Sequence, residues 1–271
     1  MPADTAVLAR DLAAESAVTR NLVIGLDEAG WRMPTPAAGW DIADQIGHLA
    51  YFDEVAVRSA VSPGEFRAEL AEAQATGGSD PDTIAARFRD RTGAQMLAWF
   101  DAARAELLGI FAELGPRARL PWFGPDMSAA SALTARLMET WAHTQDIADA
   151  LGVSRQPTGR LRHVAHIGVG TRAFSYVIRG KTQPPDPVRV ELTAPDGTVW
   201  TWGPEEAEDR VAGPALDFCL LITQRRHRDD LALVIEGPGA TEWMAIAQAF
   251  AGAPGPGRPA GPDTYARRLA R

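Results

Sequence analysis

The sequence predicts an α+β protein in which an N-terminal four-helix bundle is followed by a smaller C-terminal α+β domain. Up to residue 152, apolar residues recur at three- and four-residue spacing in four long segments, as amphipathic helices require. After residue 180 the pattern changes to β-rich runs joined through Asp196-Gly197, a strong hairpin signal. The length of 271 residues also favours more than one domain.

The bundle helices are predicted from their caps and their apolar faces. Asp4 and Asp41 are candidate N-caps of the first two helices. The predicted segments are 4–30, 41–62, 80–114 and 128–151. A break at Gly93 or Gly109 would divide the third helix, and Gly152 closes the fourth as its C′ residue.

The remainder of the chain is predicted to contain a fifth helix and then a sheet backed by helices. The fifth helix covers 160–180, and the run VRVELTAPDGTVWTW forms the hairpin. RVAGPALDFCLLITQRR is read as a strand end and a helix, LALVIEG as a strand, and ATEWMAIAQAFAG as a closing helix. The predicted domains are therefore 1–155 and 156–255, with a flexible Pro/Gly-rich tail over 256–271.

Composition limits the classes of partner. A formal charge of -8 argues against nucleic acid, because phosphate binding needs a concentrated basic face. The sequence contains no continuous apolar run of membrane-spanning length and no signal-peptide pattern at its start. The single cysteine, Cys219, lies in an apolar setting that favours a buried thiol. We therefore expect a cytoplasmic protein that binds a small molecule, as a monomer or homodimer.

Two helices carry residues that suit a metal ion. Glu139 and His143 are four residues apart, so their side chains share one side of the fourth helix. His48 lies in the second helix beside apolar residues and can point into the bundle. Two imidazoles and one carboxylate suit a divalent transition metal and leave coordination positions open. The alternative is a surface Glu-His contact worth a few tenths of a kcal/mol and a solvated histidine.

The motifs around these residues resemble a known family. W-D-I-A-D-x-I-x-H-L over 40–49 and E-x-x-A-H-x-x-D-I-A-x-A-L-G over 139–152 resemble the mycothiol-dependent maleylpyruvate isomerases, a branch of the DinB-like four-helix-bundle metalloproteins. The resemblance implies that His48, Glu139 and His143 bind a metal, usually zinc, and that mycothiol serves as thiol cosubstrate. The C-terminal part resembles an actinobacterial subgroup of this superfamily whose reactions are mostly unassigned.

Other residues are candidates for supporting roles. Asp146 and Asp44 each lie one turn from a predicted histidine ligand and could accept its second ring N–H. The alternative is that they are acids on the helix surface, which the sequence favours for Asp44. Aromatic residues at the helix ends could wall a pocket, or could simply belong to the core: Trp40, Trp122, Phe123 and Trp141.

A basic cluster follows the DFCLLITQ segment. Arg225 or Arg226 could bind an anionic substrate group, since the resemblance implies an arginine of the C-terminal domain in that role and a guanidinium fork suits carboxylate. The alternative is a basic patch that favourably opposes a helix dipole. His163 and His166 fall outside the matched motif and are interpreted as structural.

The leading functional hypothesis is a zinc-dependent transferase or isomerase that uses mycothiol and a small electrophilic substrate. A metal-dependent hydrolase that activates water is one alternative. A protein that binds a small apolar ligand, with a structural metal in its bundle, is the other. Structural zinc sites are generally closed by four protein ligands, so three candidate ligands favour catalysis.

Overall fold

The computed structural model describes residues 4–76, 80–255 and 257–261. The chain divides into two compact units, Met1–Val153 and Ser154–Arg271. The first unit is mainly helical, and the second combines helices with a four-stranded sheet. The predicted fold class, a helical bundle followed by a smaller α+β region, is confirmed. Of the predicted flexible tail, residue 256 and residues 262–271 lie outside the described residues.

Four long helices form the first unit. Its elements are α1 (Thr5–Val23), α2 (Glu28–Trp31), α3 (Ile42–Val61), α4 (Pro63–Thr76), α5 (Pro81–Ala86), α6 (Gly93–Ala112), β1 (Arg119–Leu120), β2 (Met127–Ser128) and α7 (Ala129–Ala150). Helices α1 and α3 each pack against both α6 and α7, which closes the bundle around one core. Leu12, Ile46, Leu49, Phe100 and Phe111 are almost completely buried there. This packing brings α3 and α7 side by side.

One predicted helix boundary in this unit was wrong, and one helix was missed. The first helix ends at Val23 rather than at residue 30, because the Asp27 side chain caps a separate short helix, α2. The second helix ends before Pro63, as predicted, but α4, which begins at Pro63, was not predicted; proline is well tolerated in a first helical turn. The predicted third helix is two helices, α5 and α6, and the possible break at Gly93 is confirmed, because the Thr92 capping box starts α6 there.

The second unit places helices against a mixed sheet. Its elements are α8 (Leu161–Gly170), α9 (Arg172–Val177), β3 (Val188–Thr193), β4 (Val199–Trp202), β5 (Asp209–Pro214), α10 (Ala215–Ile222), β6 (Val234–Glu236) and α11 (Pro238–Ile246). The strand order is β4-β3-β5-β6, with β3 and β5 parallel and the other neighbours antiparallel. The predicted fifth helix is divided at Thr171 into α8 and α9.

The turn and the side-chain alternation of the sheet agree with the sequence pattern. Gly197 has a φ of 85° and supports the turn between β3 and β4, a conformation that glycine adopts without penalty. Val188, Val190 and Leu192 alternate toward the core, where α10 packs against β3 and β5. Cys219 is buried in α10, and burial raises the pKa of its thiol well above the usual range. Across the described parts of the chain, no helix has both the length and the apolar character needed to cross a membrane.

Candidate metal centre

The three predicted ligand residues come from α3 and α7. A reciprocal capping box between Asp41 and Asp44 fixes the start of α3, so that His48 lies two turns inside the helix. The Ser128 side chain caps the 22-residue α7, which carries Glu139 and His143 one turn apart. Because the two helices pack together, His48 faces the Glu139–His143 pair.

These side chains converge on one small volume. Glu139 Oε2 lies 3.2 Å from His143 Nε2 and 3.7 Å from His48 Nε2. One ligand atom from each residue lies within 4.8 Å of the others. The side chains of His48, Glu139 and His143 are 12%, 19% and 10% exposed, so the cluster is largely buried but still accessible to solvent. A single cation could contact all three groups.

The local environment favours the protonation states that bind metal. Burial, followed by the neighbouring His143, lowers the pKa of His48 to about 4. Burial would raise the pKa of Glu139, but hydrogen bonds and the charges of His143 and His48 hold it well below its usual range. At neutral pH the cluster therefore presents an ionised carboxylate and a neutral His48, which are ligand forms.

Gln45 determines the tautomer of His143. Thr35 Oγ1 donates to the Trp40 carbonyl oxygen, and Gln45 Nε2 donates to Thr35 Oγ1 at 2.9 Å. The Gln45 amide oxygen is thereby directed at His143 Nδ1, with which it makes a hydrogen bond. An amide oxygen only accepts, so Nδ1 carries a proton, and Nε2 is the ring nitrogen that faces Glu139.

The arrangement of these residues fits a cation. His143 Nε2 and Glu139 Oε2 face each other at 3.2 Å. A proton on Nε2 or a bound cation can lie between them, and the same carboxylate oxygen is 3.7 Å from His48 Nε2. The donor set, two imidazole nitrogens and one carboxylate oxygen, is that of three-ligand catalytic zinc sites.

Aromatic rings surround the cluster. Trp40 stacks on His143 at 5.9 Å between ring centroids and lies 5.3 Å from the His48 ring. Phe52, one turn after His48, is 4.6 Å from the same ring, and Phe123 is 5.9 Å from Phe52. The predictions for Trp40 and Phe123 agree with these contacts. Phe52 was missed, although its i+4 spacing from His48 was visible in the sequence.

The other two predicted wall residues have different surroundings. Trp122 contacts Phe123 at 5.4 Å and Phe66 at 6.3 Å, and so extends the aromatic cluster away from the histidines. Trp141 is a buried residue of α7.

Comparison with known proteins identifies the family. Residues 12–148 match the family model described as the mycothiol maleylpyruvate isomerase N-terminal domain. The chain belongs to this family. Two uncharacterized proteins from two strains of Mycobacterium tuberculosis are each 44% identical over 256 residues, which is 94% of this chain and 100% of each relative. A segment of the second unit, 184–235, is similar to the model described as wyosine base formation.

Solved structures support the fold of this family member. Two crystal structures of mycothiol-dependent maleylpyruvate isomerase, one of them a mutant, match with TM-scores of 0.57 and 0.56. Both are 16% identical to this chain, and each match covers 88% of this chain and 96% of the solved one. The match shows that the architecture is shared.

The two acids predicted to orient the histidine ligands, Asp44 and Asp146, make other contacts in the structure. Asp44 accepts from Arg89 Nε and Nη2 at 3.0 and 2.9 Å and from the Asp41 backbone N–H of the capping box, while His48 Nδ1 has no hydrogen-bond partner among the described residues. Asp44 therefore stabilises the start of α3 and does not orient His48. Asp146 is buried, but Gln45 makes the bond to His143 Nδ1 that was predicted for Asp146. Sequence reasoning missed Gln45, whose signal was its position one turn before His48.

A buried ionic network lies one turn from Glu139. Asp53 accepts from Arg104 Nε at 2.6 Å and from Arg136 Nε at 2.9 Å, and the three side chains are at most 5% exposed. Arg136 also donates to the Leu49 carbonyl oxygen at 3.0 Å, and Arg104 donates to Thr140 at 3.0 Å. The network joins α3, α6 and α7, and so fixes the register of the two helices that carry the cluster.

The predicted anion-binding arginines lie in the loop after α10. Arg225 Nη1 donates to the Thr223 carbonyl oxygen at 2.6 Å, and Arg226 Nη1 donates to the Arg225 carbonyl oxygen at 2.7 Å. Both side chains are part-buried. Their role toward a substrate stays a prediction.

Proposed function

We propose that this protein is a metal-dependent transferase or isomerase that uses mycothiol as a thiol cosubstrate and acts on a small electrophilic substrate. The observation that supports it is the convergence of two imidazole nitrogens and one carboxylate oxygen within 4.8 Å. His48, Glu139 and His143 would hold the cation, for which zinc suits the donor set. Membership of the mycothiol maleylpyruvate isomerase family supports the thiol.

Three protein ligands leave room for a reactant. A divalent cation held there supplies Lewis acidity, which lowers the pKa of a thiol that approaches it. Gln45 keeps the proton of His143 on Nδ1 and leaves Nε2 free to bind. Trp40 and Phe52 cover the two histidine rings and limit the access of bulk water. These residues hold and shield the centre, and the substrate provides the electrophilic carbon.

We assign Arg225 and Arg226 the binding of an anionic group on the substrate. A guanidinium pairs with a carboxylate through two parallel N–H donors, which fixes orientation as well as charge. The partner is then a small molecule rather than nucleic acid or a membrane, and the protein acts as a monomer or homodimer.

The proposal is tested by metal content and thiol consumption together. The purified protein should contain about one equivalent of zinc, a stoichiometry that three ligands from one chain imply. Incubation with mycothiol and a panel of electrophiles should consume free thiol, or rearrange the electrophile while the thiol is retained. Glu139→Gln and His48→Ala should lose both metal and activity. His166→Ala is the matched control, because His166 lies in the second unit and contacts Trp202.

Each outcome decides one part of the proposal. Metal binding with ester or amide hydrolysis and no dependence on thiol would replace the transferase with a hydrolase. A protein that binds no divalent cation, and whose His143→Ala variant is unchanged in stability, would refute the metal centre itself.

A further inference from the structure

The second unit contains a cluster of buried hydrogen-bond donors contributed by α9 and α11. Tyr176 is 0% exposed and Trp243 is 1% exposed. Four of the buried polar atoms have no hydrogen-bond partner among the described residues: the Tyr176 hydroxyl oxygen, Trp243 Nε1, and Arg172 Nε and Nη2. Buried donors without acceptors are rare in folded proteins, so a concentration of them indicates a missing partner.

The three side chains are neighbours. Arg172 and Tyr176 are four residues apart on α9, on one side of the helix. The guanidinium carbon of Arg172 lies 5.9 Å from the centroid of the Trp243 ring, and α9 packs against α11. Arg172 Nη1 donates to the Asp186 carbonyl oxygen at 2.9 Å, which anchors one end of the guanidinium. Its Nε and Nη2 edge is the part left without a partner.

Arg172 also lacks a direct ion-pair partner among the described residues. Within residues 4–76, 80–255 and 257–261, no carboxylate lies within 4.0 Å of it. Glu242, the nearby acid on α11, is bound by Lys181 at 2.6 Å. Burial, then Glu242, raises the pKa of Tyr176 above its usual value, so the hydroxyl keeps its proton. The charge of Arg172 and the closeness of its N–H groups to the hydroxyl oppose this rise, although no well-aligned hydrogen bond joins the two side chains.

A cationic fork, an indole N–H and a phenol O–H form a set dominated by donors. A water molecule could accept from two of them, but it would bring two hydrogens that need acceptors of their own. An oxyanion brings only acceptors and balances the charge, and its oxygen pair matches the Nε and Nη2 edge of a guanidinium. We propose that Arg172, Tyr176 and Trp243 form a binding site for a small oxyanion, a carboxylate or phosphate group. This site is independent of the proposed metal chemistry.

The indole proton of Trp243 provides a direct test. The full chain contains eight tryptophans, so ¹⁵N-tryptophan labelling gives few indole signals, and Trp243→Phe identifies the relevant one. Inorganic phosphate and acetate are titrated separately at constant ionic strength, with chloride as reference. We expect the Trp243 signal to shift and saturate with one of the two anions, while the Trp200 and Trp202 signals stay in place. The preferred anion distinguishes a phosphate from a carboxylate ligand.

Variants separate a specific site from general charge effects. Arg172→Gln should weaken binding by about tenfold or more, because it removes a charge-assisted hydrogen bond. Arg162→Gln is the matched control: Arg162 also lies 5.9 Å from a tryptophan ring, that of Trp200, but it is exposed. Equal weakening by both variants would contradict the site.

Tyr176→Phe tests the unpaired hydroxyl even if Arg172 variants fold poorly. Without added anion it should leave the melting temperature unchanged or higher, since the buried hydroxyl makes no well-aligned hydrogen bond to any described residue. With the anion it should bind several times more weakly, roughly the effect of one hydrogen bond. A lower melting temperature in the absence of anion, or no Trp243 shift with either anion, would overturn the proposal.

Discussion

The two units differ in whether buried arginine N–H groups have acceptors. In the bundle, Arg104 and Arg136 share the carboxylate of Asp53, at 2.6 and 2.9 Å. In the second unit, Arg172 has buried N–H groups, beside Tyr176, for which the described residues provide no acceptor. A network in which every charged group is paired within the protein, here called closed, serves packing and register. A set of donors or metal ligands without such pairing, here called open, leaves room for a partner. The His48 cluster is of the open kind, because two imidazole nitrogens and one carboxylate oxygen converge on one volume that a cation could occupy.

The strongest test of this contrast is Asp53→Ala. Removing the carboxylate leaves two guanidiniums buried without compensation, and breaking a buried ion pair in this way typically costs about 3 to 5 kcal/mol. We expect a loss of that size in the free energy of unfolding, measured by urea titration with circular dichroism. Asp101→Ala is the control, since its ion pair with Arg20 is 40% to 44% exposed. That variant should lose less than about 1 kcal/mol.

A small effect of Asp53→Ala would remove the contrast. It would mean that water or another acid compensates the two arginines, and that the bundle network is as open as the Arg172 site.

The second test concerns the pH dependence of the metal-free bundle. The pKa of His48 is about 4 in the folded protein against 6.5 for a free histidine. Between these values the unfolded chain binds the proton more readily, so stability should fall as the pH falls from about 6.5 to about 4. The difference corresponds to roughly 3 kcal/mol, since one pKa unit is about 1.36 kcal/mol. Urea unfolding across this range, with a chelator present, measures it.

His48→Asn supplies the comparison, because asparagine does not titrate. The variant should lose this part of the pH dependence. Identical curves for wild type and variant would show that His48 is not buried in its neutral form.

The sequence predicted the parts of the site that depend on position within one helix. Glu139 and His143 are spaced by one turn, and the bundle arrangement brings His48 to them. The partners that depend on helix-to-helix register were not predicted. Asp53 and Arg104 are 51 residues apart in sequence, and periodicity does not say which buried acid a given arginine meets.

The errors in the predicted helices also arise from features that the apolar periodicity does not contain. The first helix was predicted to extend past Val23, because apolar periodicity does not distinguish one helix from two helices joined by a turn. Pro63 was interpreted only as a stop signal, although the same residue can begin a helix. In contrast, Asp196-Gly197 correctly predicted the hairpin, since two adjacent residues determine that turn.

Gln45 offers a finer test of the open cluster. Gln45→Leu removes the acceptor for His143 Nδ1, and loss of such a supporting bond typically weakens metal binding by about 10- to 100-fold. Zinc affinity measured by competition with a chromophoric chelator should show this change while the fold is retained. Gln45→Glu should restore most of the affinity, because a carboxylate also accepts from Nδ1. Failure of the glutamate variant to bind better than the leucine variant would show that Gln45 acts through packing.

The smallest effect is expected at Gln224, where the second unit is locally strained. Gln224 has a φ of 59°, and the N–H groups of Gln224 and Arg225 bond to the carbonyls of Leu221 and Leu220 as in a Schellman motif. The Gln224 side chain makes long hydrogen bonds to the Ala247 carbonyl oxygen and to Gln248, at 3.3 and 3.4 Å, which offset part of this strain. The left-handed conformation costs a non-glycine residue roughly 1 kcal/mol.

Two variants that both lack the amide isolate that strain. Gln224→Gly and Gln224→Ala lose the same hydrogen bonds, but only alanine keeps a Cβ in the left-handed region. Glycine should therefore be more stable than alanine by about 1 kcal/mol in urea unfolding. Equal stability would mean that the loop relaxes to an ordinary conformation once the side chain is removed. In that case the amide of Gln224, rather than the helix end, holds the backbone from which Arg225 and Arg226 project.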